Sequence, residues 1–280
     1  MLNASKIVLV LTVVAAVIAL TNDARAVLLY DESVPYTAGP DLTDLTGGNP
    51  PWSTDGAGGM TDDWNMGTGG SLTYPLLSSS GNLINYDQID GASRTSVRRA
   101  LPAAVGNAFS TEGQTIYMSW LIRDSVGMFF HDGAGNNINL SSDLQGGNVR
   151  YVLQIADEGP ESEDTIGTVA PDGSTHLLIF RVLNQAGNDD IRAVLDPDLS
   201  LGEPDWSAAP SIITNRDITS NFNTHQLVMG NIDPVTLRGD VDEFKIFTDF
   251  NDIFPVIPEP ATVSLFGMAG IGLLKRRRQA

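Results

Sequence analysis

Between residues 27 and 255 the chain alternates apolar and polar positions in short runs, broken by Gly, Asn, Asp and Pro. A period of two predicts strands whose two faces meet different surroundings. Over residues 114–123, Ile116, Met118, Trp120 and Ile122 share one face, and Tyr117, Ser119, Leu121 and Arg123 the other. Over 149–156, Val149, Tyr151, Leu153 and Ile155 line one face. Residues 175–183 are apolar on both faces, with Leu178, Phe180 and Val182 opposed to Leu177, Ile179 and Leu183, which predicts a central strand. Residues 189–196 pair with it across a hairpin-like turn at 184–188. Further strands are predicted at 225–229 and 241–247, and turns at 132–137 and 145–148. No long amphipathic helix interrupts this pattern. Many short strands and few helices predict an all-β, antiparallel sandwich.

Residues 37–70 break the alternation. They are rich in Gly, Pro, Asp and Thr, with Trp52, Met60, Trp64 and Met66 embedded. The stretch is too long for a simple loop. It predicts an irregular layer folded over one face of the sandwich.

Both ends carry continuous apolar runs instead. Near the start, Lys6 precedes an apolar run from Ile7 to Leu20, followed by Ala24-Arg25-Ala26. This order predicts a secretory signal peptide, residues 1–26, cleaved after Ala26, with Ala24 and Ala26 in the small subsites of the peptidase. The run is short for a span, which needs ~20 residues. At the other end stand Pro258-Glu259-Pro260, an apolar stretch from Ala261 to Leu274, and Lys275-Arg276-Arg277-Arg278. The prolines stop a helix from starting early, the apolar stretch enters the bilayer, and the basic cluster stays on the cytoplasmic side.

This tail resembles the PEP-CTERM sorting signal, a domain of residues 256–280. The resemblance implies recognition at Pro258, Glu259 and Pro260 by an exosortase, with Lys275, Arg276, Arg277 and Arg278 as the stop-transfer cluster. It further implies export to the cell envelope, the cell surface or the extracellular matrix of a Gram-negative bacterium, with transient anchoring in the inner membrane. Signal peptidase and exosortase are then the partners during export.

Charge sharpens this division. The whole chain has 16 basic and 34 acidic residues, net −18. Six of the basic residues lie in the two end segments, so residues 27–255 keep 10 basic against 32 acidic residues, net −22, and Lys245 is their sole lysine. So acidic a body argues against nucleic acid, whose recognition needs clustered Lys and Arg. The absence of cysteine excludes a disulfide framework, a cysteine nucleophile and a thiolate metal site. An exported domain of this size does not need disulfides to bury enough surface.

The closing run Gly239-Asp240-Val241-Asp242-Glu243-Phe244-Lys245-Ile246-Phe247 resembles the last core strand of laminin-G-like, concanavalin-like jelly rolls. Residues 70–76 and 115–120 are similar to exported proteins with that fold. The resemblance implies a jelly-roll sandwich over 27–255, flanked by the signal helix and a transmembrane sorting helix. Such folds include glycoside hydrolases and polysaccharide lyases.

Candidate chemistry is thin. A hydrolase would place two carboxylates on one strand face. Glu161 and Glu163 have that parity, but Gly159 and Pro160 predict a solvated loop over 157–164. The histidines, His131, His176 and His225, show no metal-ligand spacing and predict structural roles. No nucleophile elbow is present, so no catalytic residue is assigned. Oxygen ligands for calcium are available at Asp196, Asp198 and Asp242, and also at Asp62-Asp63 and 188–190. Asp242 would share a face with Phe244 and Ile246 in a regular strand. There it would need backbone N–H partners from a neighbouring turn, or a cation. Trp52, Trp64 and Trp206 lie in Gly/Pro/Asp-rich segments and are candidates for stacking on sugar rings, or else packing plugs. The expectation is a non-enzymatic exported sandwich without a required cofactor, structural or carbohydrate-binding, with extracellular polysaccharide as partner. The alternative is a polysaccharide hydrolase or lyase of the same fold.

Overall fold

The computed structural model describes residues 28–31, 53–54, 64–66, 71–77, 83–87, 95–125, 127–156, 162–229 and 238–254. The expected signal helix with Ala24 and Ala26, Trp52, Asp62-Asp63, and the sorting tail from Pro258 to Arg278 lie outside them. Five strands come first: β1 (Leu28–Asp31), β2 (Ser53–Thr54), β3 (Trp64–Met66), β4 (Ile84–Asp87) and β5 (Thr95–Ala100). One short helix follows, α1 (Ala103–Phe109). The chain then runs through β6 (Thr115–Asp124), β7 (Gly127–His131), β8 (Asn137–Gln145), β9 (Asn148–Ala156) and β10 (Ser162–Val169). It closes with β11 (Thr175–Leu183), β12 (Asp190–Leu195), β13 (Ser211–Ile213), β14 (Thr224–Met229) and β15 (Arg238–Phe247).

These strands form two antiparallel sheets packed as a sandwich. Sheet A has the order β13-β12-β11-β6-β15-β4-β3, and β1 pairs with the second half of β15. Sheet B has the order β10-β9-β8-β7-β14-β5-β2. The predicted strands all appear, and the hairpin joins Leu183 to Asp190. The described parts of 37–70 do not form a separate layer. Ser53–Thr54 and Trp64–Met66 add short strands to the edges of sheet B and sheet A, where short strands limit pairing with other chains.

Between the sheets lies an aromatic-rich core. Trp120 of β6 stacks on Phe244 of β15 at 5.1 Å, and Phe130 of β7 packs against both. Burying such rings removes 150–250 Å² each from water and dominates the energy of a core. Helix α1 closes one end, where Phe109 meets Phe222 edge-on at 5.3 Å. Gly106 lets the helix approach closely: a Cβ there would come within 1.5 Å of Asn221 Oδ1 and 3.1 Å of the Phe222 carbonyl oxygen.

A second apolar cluster covers the outer face of sheet A. Tyr117, Leu121, Leu177, Ile179 and Phe247 point outward from the strands and are buried by Leu72, Leu199, Trp206, Phe250 and Ile253. Three of these plugs share one local design. Asp198, Asp205 and Asp249 each cap a 3-10 turn by accepting the backbone N–H two residues on, from Ser200, Ser207 and Asn251. The residue between, Leu199, Trp206 or Phe250, is thereby turned down onto the sheet. Sheet A is thus apolar on both faces, as predicted for β11.

Strand β15 departs from regular alternation. Its pairing with β6 slips between Asp242 and Lys245, and Glu243 takes a left-handed φ of 49°. The bulge inserts one extra residue and resets the parity. Val241, Phe244 and Ile246 face the inner core, while Phe247 faces the outer cluster. Asp242 therefore does not share a face with Phe244, contrary to the regular-strand expectation. It pairs across from Leu121 and lies beneath the segment 71–77.

Candidate functional site

The outer face of sheet B carries mainly polar side chains, although Val152 and Asn139 on it are buried. Strand alternation places Val149, Tyr151, Leu153 and Ile155 of β9 in the core, so Arg150, Val152 and Gln154 face outward. The same parity turns Asn139 and Ser141 of β8 outward, because Ile138 and Leu140 are core. Phe129 of β7, Gln226 of β14 and Arg98 of β5 follow for the same reason, since Phe130, Leu227 and Val97 are core.

Register aligns these side chains into one row across the sheet. Arg98 pairs with Gln226, Gln226 with Phe129, and Phe129 with Asn139. Asn139 then pairs with Gln154, and Gln154 with Glu163 of β10. The row begins at an exposed cation and ends at a carboxylate. Its far half is hydrogen-bonded side chain to side chain. Asn139 Nδ2 donates to Gln154 Oε1 at 2.5 Å, Ser141 Oγ donates to the same oxygen at 3.4 Å, and Gln154 Nε2 donates to Glu163 Oε2 at 2.9 Å. Arg150 reaches Glu163 at 3.9 Å. Beyond Glu163, at the edge where β10 meets β13, a wide polar cleft of about 390 Å³ is lined by Ser162, Glu163, Asp164, Thr214 and Asn215.

The loop expected over 157–164 is corrected here. From Ser162 onward it is strand β10, which brings Glu163 onto the sheet. Asp164 takes a structural place: it accepts the Ile212 N–H at 2.8 Å and ties β10 to β13. Glu161 lies outside the described residues, and Glu163 is the one carboxylate in the row. Among the described residues, the pairing of acid and nucleophile that a retaining glycosidase needs, ~5 Å apart, is not formed along this row.

Among the stacking candidates, Trp206 is described with its side chain. Trp206 is 6% exposed. Its indole N–H donates to Glu203 at 2.7 Å, and the Arg181 guanidinium lies over its ring at 5.0 Å. It is a plug for sheet A and offers no open face to a sugar. Tyr117 hydrogen-bonds the same Glu203 carboxylate at 2.7 Å. Burial, then that carboxylate, pushes the Tyr117 phenol well above its ordinary range. Tyr and Arg thus meet, but under cover. Trp64 belongs to edge strand β3 of sheet A, away from the row.

The calcium candidates bond to the chain's own donors. Asp196 Oδ2 meets His176 Nδ1 at 2.6 Å and Oδ1 accepts the Leu177 N–H at 2.9 Å. Asp198 caps its turn through Ser200. Asp242 accepts the Leu72 N–H at 2.8 Å and the Glu243 N–H at 2.9 Å, which is the neighbouring-turn arrangement expected for a buried carboxylate. Burial is the main cause that raises its pKa to about 6. Asp189 accepts the Gln185 and Ile218 N–H groups, and Asp190 pairs with Arg181 and Arg192. Among the described residues, no three His, Asp or Glu side chains gather closely enough to hold a metal ion.

The histidines occupy three settings. His225 is fully buried between Phe130 and Phe244, and burial, then Arg99, lowers its pKa to about 3, so it stays neutral. The hydrogen bond to Asp196 raises His176 above its ordinary value. Burial and then Arg98 lower His131, which stands at the end of β7.

Comparison with known proteins adds two findings. Residues 256–279 match the PEP-CTERM protein-sorting motif. The described chain is also similar to several solved structures. A carbohydrate esterase, vb_24B_21, from the Shiga toxin-encoding bacteriophage phi24B is 13% identical, with 80% of this chain and 99% of that one covered and a TM-score of 0.43. An endo-1,3-β-glucanase from Streptomyces sioyaensis is 12% identical, over 80% and 96%, with a TM-score of 0.42. Domains LG4-5 of the mouse laminin α1 chain are 11% identical, over 58% and 43%, with a TM-score of 0.34. These likenesses are of sandwich fold and carry no activity across. No curated protein sequence matches the chain.

Proposed function

We propose that this chain is an exported sandwich protein, sorted through its tail by an exosortase, that binds carbohydrate without cleaving it. The PEP-CTERM motif at 256–279 supports the sorting half. In this reading, signal peptidase removes residues 1–26 and the tail anchors the chain in the inner membrane until the exosortase acts at Pro258-Glu259-Pro260. The destination is the cell surface or the extracellular matrix.

One observation carries the binding half: the polar row from Arg98 to Glu163 across sheet B. It offers a cation, amides, a carboxylate and one aromatic edge. Directional polar groups beside an apolar surface suit the hydroxyls and C–H faces of a sugar. Since the row holds one carboxylate, binding is favoured over hydrolysis. A polysaccharide panel tests it with the full-length chain in detergent, by affinity electrophoresis. Retention by at least one polysaccharide, with no shortening of that polysaccharide on prolonged incubation, is expected. Retention by none overturns the binding half, and shortening overturns the non-enzymatic reading. For sorting, Glu259→Ala is expected to leave the protein in the membrane fraction, and unchanged release or display would contradict the exosortase step.

A further inference from the structure

The last described residue, Phe254, lies on the cover of sheet A. After β15, residues 250–253 form a 3-10 turn whose Phe250 and Ile253 are buried in the outer cluster. Phe254 packs on the same cluster, with its ring edge-on to Phe250 at 6.4 Å. Only residues 255–260 separate Phe254 from the apolar stretch that opens at Ala261. Even fully extended, the chain from Phe254 to Ala261 reaches about 25 Å. A sandwich of ~230 residues is about 45 Å across. The connection is therefore too short to pass round the domain to sheet B. While the tail holds the chain in a membrane, the cover of sheet A is the side nearest the bilayer.

That cover also carries the most exposed large apolar side chains among the described residues. Leu201 is 82% exposed and Leu76 59%, against 44% for Leu28 and 41% for Ile212. The segments that bear the two leucines are joined, since Tyr74 Oη donates to the Pro197 carbonyl at 3.0 Å. Leu76 holds a left-handed φ of 69° for a side chain that stands mostly in water. Such strain at an exposed apolar residue calls for a reason outside the folded domain. We propose that the cover of sheet A docks on the bilayer surface while the tail is inserted, with Leu76 and Leu201 entering the headgroup layer. The inference rests on the sorting reading above. Charge does not drive the contact, because Asp198, Asp205 and Asp249 cap turns on this cover and anionic lipid repels them. Withdrawal of the leucines from water drives it, and the short connection keeps the surface at high effective concentration. The outer face of sheet B then points away from the membrane, open to a polysaccharide.

The chain has no cysteine, so a single introduced one carries a fluorophore to a known place. Ala208→Cys puts it at an exposed position on the cover, and Gln226→Cys puts it on the outer face of sheet B. The full-length chain is reconstituted into phosphatidylcholine vesicles containing a lipid with a quencher on its headgroup. Quenching is expected to be strong at position 208 and weak at position 226. Adding Leu76→Ser and Leu201→Ser to the Ala208→Cys chain is expected to lower the ratio of docked to undocked protein about tenfold. Both leucines are exposed, so these substitutions do not threaten the fold. Equal quenching at the two positions, stronger quenching at position 226, or no response to the leucine substitutions overturns the docking and leaves the sorting reading standing. An alkaline wash of the vesicles checks that reading separately: a full-length chain stripped from them has no inserted tail, which overturns the sorting reading instead.

Discussion

Asp242 gives the sharpest quantitative test of the fold. Its carboxylate is 7% exposed and fastens the segment 71–77 to sheet A by accepting the Leu72 and Glu243 N–H groups. Nearby, Lys245 pairs with Glu243 at 3.1 Å. Burial raises the folded-state pKa to about 6, against 3.8 for the unfolded chain. A raised acid binds its proton more tightly when folded, so stability from this group is full below the unfolded value and is lost as pH rises through 6. Between pH 4.5 and 7 the loss is about 2 kcal/mol, at ~1.4 kcal/mol per pKa unit. Asp242→Asn does not titrate, and it sets an NH₂ against one of the two N–H donors, at ~1–3 kcal/mol. The assay is urea unfolding of both proteins at pH 4.5 and 7, taking the difference of differences so that other carboxylates cancel. The wild type should lose about 2 kcal/mol more than the variant on going from acid to neutral pH. Equal pH dependence in the two proteins would refute the assignment of Asp242 as a buried, titrating latch.

Two further predictions concern the cover of sheet A. Trp206→Ala should destabilise by about 3–5 kcal/mol in urea unfolding, since it empties a plug that is 6% exposed; a change below about 1 kcal/mol would show that Trp206 stands open. Leu76 is 59% exposed and holds a φ of 69° at the third position of the turn from Tyr74 to Leu77, where glycine is favoured. Leu76→Gly should therefore keep the melting temperature or raise it, by up to about 1 kcal/mol of stability, and a clear fall would mean that the Leu76 side chain packs.

Much of this architecture can be read from residue order. β6, β9, β11, β12 and β14 show it because apolar residues sit at every second position, and β15 keeps that step only from Phe244 to Ile246. β8 is harder to see: Asn137–Gln145 puts Asn and Ser between its few apolar residues, and its outward side chains bond to a neighbouring strand rather than repeat a pattern. The row depends on register between five strand pairs, which no local spacing encodes. Glu163 reads as loop because Gly159 and Pro160 predict a solvated turn over 157–164, whereas β10 begins at Ser162. The face of Asp242 depends on a bulge at Glu243, a residue with no intrinsic preference for left-handed φ. Trp206 was legible in principle. Asp198-Leu199-Ser200 and Asp205-Trp206-Ser207 repeat one capping pattern, and an apolar residue inside such a cap faces the core.

The central claim, that the outer face of sheet B meets the ligand, is tested most directly by hydrogen exchange with and without a bound polysaccharide. Slowed exchange concentrated in β7, β8, β9 and β10, with residues 199–209 unaffected, is the predicted result. Protection confined to residues 199–209 and 250–254, on the cover of sheet A, would contradict it.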